Sequence, residues 1–272
     1  MSKVIRYSVK ISALITFGML FFIIGYILFR GVPYLTPSLF AVKYTSYNVS
    51  MLPSIITTVL LVLLTLLVAT PIGVFTGFYL IEYAKKGNKL VELIRIATET
   101  LSGIPSIVYG LFGMIFFVVK LKFQYSLLAG TFTVAIMVLP LIIRATEEAL
   151  MSVDDSLREA SFGLGAGKLR TIFRVVLPVA MPGILSGVIL SIGRVVGETA
   201  ALMFTLGTAT KVPNALLHAG ASGRTLALHM YVLSSEGMHV NESYATGVIL
   251  LLIVLLINGL STFLSNKLTK GR

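Results

Sequence analysis

Two ionisable residues stand where the chain is otherwise apolar. Arg194 and Glu198 lie four residues apart in the run GRVVGETAALMFT, residues 193–205, whose other members are uncharged. On a helix that spacing sets both on one face. A charge at the centre of a membrane costs about 2.5–3.5 kcal/mol even on the lenient insertion scale, so something must compensate it. One solution is a self-neutralising structural pair. The other is a site: the Arg194 guanidinium, a planar fork that stays protonated, takes a tetrahedral oxyanion, while Glu198 orients the fork and keeps the anion from binding too tightly to leave. Arg144, near the end of another apolar run, is a second candidate cation, with snorkelling to the interface as its alternative role.

Other chemistry is excluded by composition and spacing. His218, His229 and His239 stand 11 and 10 residues apart, which fits no usual zinc pattern, so no metal site is expected. There is no cysteine, hence no disulfide and no thiol chemistry. The segment REASFGLGAGKLRTIFRVVLP, residues 158–178, has the glycines and lysine of a nucleotide loop but not their order. With Gly167-Lys168 as the G-K pair of G-x-x-x-x-G-K-[ST], Phe162 stands where glycine is required and Leu169 where a hydroxyl is required. No nucleophile elbow occurs either. The chain is expected to hold no catalytic residue, cofactor or ATPase site of its own.

The elements that position these residues follow from composition. Only 12% of the residues are charged and 56% are hydrophobic, against about 25% charged in soluble domains. Lipid must be the solvent for most of this surface. Six charge-poor runs are long enough to cross a bilayer, which takes about 20 residues: residues 11–29, 54–80, 104–119, 123–143, 176–204 and 243–266. The third is short because Gly103 and Pro105 precede it. The reading is one all-α membrane domain over 1–272, with a polar loop at 145–175.

Orientation follows from Lys and Arg. Fifteen of the 22 fall on the side of the N-terminus, among them Lys3, Lys85, Lys86, Arg95, Arg144, Arg158, Lys168 and Arg272, and six on the other. The positive-inside rule then sets both termini in the cytoplasm. The bases are dispersed among loops rather than gathered in one stripe, so the net charge of +11 implies no nucleic acid. Gly73/Gly77, Gly183/Gly187 and Gly193/Gly197 are spaced for close helix packing.

The polar loop is built to be a helix. Ser156 and Glu159 fit a capping box, with Asp154 and Asp155 at the positive end of the dipole. Leu157, Ala160 and Leu164 share a face, and Gly165 suits a left-handed stop. The result is a small amphipathic helix–turn–helix on the cytoplasmic face, a shape that fits a groove on a partner.

Here the chain resembles a family. Permeases of ATP-binding-cassette importers carry a cytoplasmic loop patterned E-A-A, three residues, G, nine residues, I-x-L-P. This chain has Glu159-Ala160-Ser161, Gly165, then Val175-Val176-Leu177-Pro178 at the same spacing, with serine and valine as mild departures. The segments SGIPSIVYGLFG, LPLIIRATEEAL and GRVVGETAALMFT are similar to the A-type permease subunit of phosphate-specific importers. The resemblance implies the six-helix type I importer (MetI-like) fold and a coupling helix around Ser156, Glu159, Ala160, Gly165, Leu177 and Pro178. It implies Arg194 and Glu198 in the transport of inorganic phosphate. Its implied partners are a second, C-type permease, two ATPase subunits that bind ATP and magnesium, and an extracytoplasmic phosphate-binding protein. The implied setting is a prokaryotic inner membrane. A permease for molybdate or sulfate, and an ATP-independent secondary transporter, stay open as alternatives.

Overall fold

In lipid a backbone can satisfy its polar groups within each segment only as a helix, and the long apolar runs among the described residues are helical. The computed structural model describes residues 3–84, 87–213 and 220–270, and their side chains from 5 to 263. Lys85, Lys86 and Arg272 of the basic-residue count, and His218, lie outside them. Among the described residues eleven α-helices follow in order: α1 Lys3–Gly31, α2 Leu52–Phe78, α3 Lys89–Ser102, α4 Ser106–Gly113, α5 Leu127–Met151, α6 Asp155–Gly163, α7 Lys168–Thr171, α8 Leu177–Val196, α9 Ala200–Met203, α10 Leu226–Glu236 and α11 Val240–Lys270. Wider π-helical turns extend α2 through Tyr79–Tyr83 and α4 through Met114–Lys120, and join α7 to α8 through Ile172–Val176. No strand occurs among the described residues.

Among the described residues five helical runs are long and apolar enough to cross a membrane: Ile5–Tyr34, Leu52–Tyr83, Leu127–Met151, Lys168–Val196 and Val240–Phe263. A sixth crossing exists only if Lys89–Ser102 and Ser106–Lys120 count together, and these turn by 106° at their junction. The run expected at 104–119 is therefore the second limb of a broken helix. The break is Gly103-Ile104-Pro105: proline has no N–H to give and pushes the residue before it out of helical geometry. The Tyr109 hydroxyl donates to the Leu101 carbonyl across the corner at 2.6 Å and braces it.

The helix α5 forms the centre, with Leu127, Val134, Met137, Val138 and Ile142 buried. Two of the three expected glycine pairs pack helices against it. A Cβ on Gly73 or Gly77 would lie 2.7 Å from Ile142 or 2.6 Å from Thr146, and one on Gly183 would lie 2.7 Å from Ala149. Removing these side chains lets α2 and α8 approach α5 on two sides. The third pair is different: Gly193 has nothing within 4 Å and Gly197 meets only its own helix. Of residues 5–31 of α1 only Gly31, packed against Tyr244 and Val248 of α11, is buried in this chain.

At one end of the bundle Phe78, Leu150, Val153, Ile172, Val176 and Ile184 form an apolar cluster. It roots the α6–α7 loop on α2, α5 and α8.

Candidate functional site

The expected Arg194–Glu198 pair does not form, and the helix end explains why. The span read as 176–204 stops at Val196, where Gly197 caps α8. Four residues on is one helical turn only if the helix continues, and here it does not. Glu198 folds back instead. Its Oε1 accepts from the backbone N–H of Thr199 at 3.1 Å and of Ala201 at 3.0 Å, capping the short helix α9. At 8% exposure it is buried in that role.

Arg194 is left open on the last turn of α8. It has no ion pair among the described residues and lines a cavity of about 340 Å³. The other walls are Arg95, Thr98, Glu99 and Ser102 of α3, and Met137, Pro140, Leu141, Arg144 and Glu147 of α5. Two of the three guanidiniums are already held. Arg95 Nη2 meets Glu147 Oε1 at 3.3 Å, and Arg144 Nε meets Glu148 Oε1 at 3.1 Å. The cavity thus offers one free fork and two pre-oriented ones, with the Thr98 and Ser102 hydroxyls beside them. A set of this kind is suited to a small anion with several acceptor oxygens.

Arg95, Glu99 and Glu147 were not among the residues expected at a site. Sequence reasoning counted Arg95 as part of a loop, because Lys89, Glu92, Arg95 and Glu99 interrupt the apolar run. The available signal was helical: Asn88 caps α3 by accepting from the Leu90 N–H at 2.9 Å, and Leu90, Leu93 and Ile94 recur at helical spacing.

The polar loop holds the expected helix with a corrected start. Asp154, not Ser156, is the cap: its Oδ1 accepts from the Ser156 N–H at 2.9 Å. That bond to the backbone holds the Asp154 carboxyl below the usual carboxylate range. With the helix beginning at Asp155, Ser156 lies inside the first turn, where its hydroxyl has no free N–H to cap. The stop is as expected. Gly165 has φ +81°, its N–H donates to Phe162 O at 2.9 Å, and the Ala166 N–H donates to Ser161 O at 3.1 Å. These two bonds make a Schellman stop, which needs a left-handed residue. Leu157, Glu159, Ala160 and Phe162 all face outward, and Leu164 is 90% exposed. Leu177 and Pro178 open α8, half-buried at the root of the loop.

The opposite end of the bundle holds a buried basic pair. Arg224, only 4% exposed, lies over the Tyr44 ring at 5.3 Å. Its neighbour His229 has Nε2 3.2 Å from the Val49 carbonyl oxygen. Burial, and then the Arg224 charge, push the imidazole down to about 3, so it is neutral at ordinary pH. His239 is apart from it, with Nδ1 3.8 Å from Glu242.

The bundle thus combines a bent crossing, an open arginine on the last turn of α8 and an outward-facing helical loop. Residues 69–270 match the family of binding-protein-dependent transport system inner membrane components, and the chain belongs to it. It is 37% identical over 223 residues to the "Probable ABC transporter permease protein YqgI" of Bacillus subtilis (strain 168), covering 76% of each chain. It is 35% identical to the phosphate transport system permease protein PstA of Yersinia pestis, covering 76% of this chain and 70% of that one. Against the phosphate transport system permease protein PstA 1 of Mycobacterium tuberculosis (strain CDC 1551 / Oshkosh) the identity is 36%, and the match spans 62% of that protein's length. Among solved structures, an inward-facing MetNI methionine ABC transporter aligns with TM-score 0.63 at 20% identity, covering 80% of this chain and 93% of that one. A bacterial alginate ABC transporter in complex with its pentasaccharide-bound periplasmic protein aligns with TM-score 0.68 at 16% identity, covering 97% and 96%. The fold is the MetI-like type I importer permease fold, and the protein is a multi-pass inner-membrane component.

Proposed function

We propose that this permease is the transmembrane subunit of an ATP-driven importer of inorganic phosphate. It pairs with a second, C-type permease, two ATP-binding subunits and an extracytoplasmic phosphate-binding protein. Both termini and the α6–α7 loop lie in the cytoplasm, in keeping with the excess of Lys and Arg on that side. ATP and magnesium are bound by the ATPase subunits; this chain contributes no catalytic group.

The observation that carries the reading is the open Arg194 fork in a cavity shared with Arg95 and Arg144, in a chain 35% identical to a PstA permease. Phosphate presents acceptor oxygens in the geometry a guanidinium matches bidentately. Arg194 takes the anion first in hand from the binding protein, and Arg144 and Arg95, held by Glu148 and Glu147, line its exit. Glu198 acts by position: capping α9 fixes where α8 ends, and so where Arg194 stands.

The outward-facing side chains of Leu157, Ala160, Phe162 and Leu164 support docking of α6 into a cleft of an ATPase subunit, with Glu159 at its rim and Gly165 setting the stop. Closure of the ATPase dimer then moves the loop and switches the pathway between inward- and outward-facing states. The test is uptake of labelled phosphate by the assembled complex in proteoliposomes. Uptake that requires ATP and is displaced by phosphate but not by sulfate or molybdate is expected. Transport by a complex without ATPase subunits, driven by an ion gradient, would refute it.

A further inference from the structure

The helix α6 has little apolar contact through which to move anything. Ser161 is its only buried residue, and its large apolar side chains face outward. What ties it to the membrane helices is Arg158. Nε and Nη2 of Arg158 both donate to Glu82 Oε1, at 3.2 and 2.9 Å. Nη2 also donates to the Leu150 carbonyl at 3.0 Å, and Nη1 to the Val153 carbonyl at 2.8 Å and Asp155 Oδ1 at 3.0 Å. Every nitrogen of the guanidinium is used. The pair is largely withdrawn from water, with side chains 14% and 10% exposed, so solvent screens it little.

Glu82 sits on the π-helical turn Tyr79–Tyr83 that ends α2. The next residue, Tyr83, receives Lys168 Nζ over its ring at 4.6 Å, from the other limb of the loop. The Ser161 and Thr171 hydroxyls, 2.8 Å apart, close the two limbs on each other. The loop therefore grips one turn of α2 from both sides. Six residues beyond that turn begins α3, which carries Arg95 and Glu99 into the cavity.

We infer that Arg158 is the positioning residue through which displacement of α6 reaches the end of α2 and, beyond it, the α3 wall of the cavity. The inference rests on the coupling role proposed above for α6. A rigid fork with five acceptor contacts transmits both push and pull; a lysine, with one flexible ammonium, satisfies only part of the set.

The experiment uses the assembled complex in proteoliposomes with its binding protein, and reads phosphate moved per ATP hydrolysed. Arg158→Ala is expected to lower that ratio about tenfold and Arg158→Lys by less. A merely structural role would lower the amount of assembled complex and leave the ratio alone, and that result would overturn the inference. The chain has no cysteine, which permits a second arm should Arg158→Ala fail to assemble. Glu82→Cys with Arg158→Cys, bridged by a reducible bifunctional thiol reagent, should regain coupling when bridged and lose it on reduction. A ratio indifferent to the bridge would sink the proposal. A wild-type complex that carries no ATPase would instead remove the reading beneath it.

Discussion

Two arginines of this chain show opposite fates of the same side chain. Arg158, at the root of α6, spends its donors in five hydrogen bonds to four oxygens of its own chain. Arg194, in the cavity, faces an open space with no ion pair among the described residues. Both sit where a lone charge is costly, so each must be compensated. The first is compensated from within and serves as a fastener. The second is incomplete, and an incomplete fork is what a passing anion can complete. On the proposed function it is unspent hydrogen-bonding capacity, and not charge alone, that sets Arg194 apart from Arg158.

The contrast breaks most sharply at Arg194. Arg194→Gln is expected to leave the complex assembled and to cut phosphate uptake roughly 100-fold, the equivalent of about two charge-assisted hydrogen bonds of 1.5 kcal/mol. Transport that survives would return Arg194 to a packing role. Next comes Glu159→Lys, on the exposed face of α6. Membrane insertion should be intact, with uptake and co-purification of the ATPase both reduced about tenfold or more. Normal uptake with this variant would remove Glu159 from the coupling surface.

A third basic side chain, the buried His229, sharpens the comparison from another side. His229 is held neutral at about 3 against an ordinary 6.5, so below pH 6.5 the unfolded chain binds a proton that the folded chain refuses. Stability is then full above pH 6.5 and falls with pH towards 3, by about 2 kcal/mol at pH 5. Thermal unfolding midpoints at pH 7.5 and 5.0 should diverge in the wild type and draw together in His229→Phe. An equal gap in both would refute the assignment. The smallest effect is expected at Asp154→Ala, which removes the cap of α6 and is read as greater amide exchange in its first turn. Ser156→Ala should do less, and the reverse order would restore Ser156 as the cap.

What was legible in the sequence was what depends on neighbours along the chain. The α6 stop at Gly165 and the spacing from Glu159 to Pro178 are local, and apolar runs mark the helices that cross alone. The cap was misassigned by two residues because Asp154 and Ser156 are both good capping types. The cavity was not legible, since its walls come from three helices distant in sequence. Its α3 wall looked like a loop because four charges broke the hydropathy signal, although two of them, Arg95 and Glu99, line the cavity. The end of α8 was overrun because uncharged residues continue past Gly197. Hydropathy reports tolerance of lipid, not where the backbone turns.

The corner at Gly103-Ile104-Pro105 has one more consequence. Because α3 reaches the cavity as a separate limb, Thr98, Glu99 and Ser102 line it from outside the glycine-tight stack of α2, α5 and α8. On the proposed function, one fourteen-residue helix would then let a lineage retune part of the passage lining without rebuilding the helices packed at its centre.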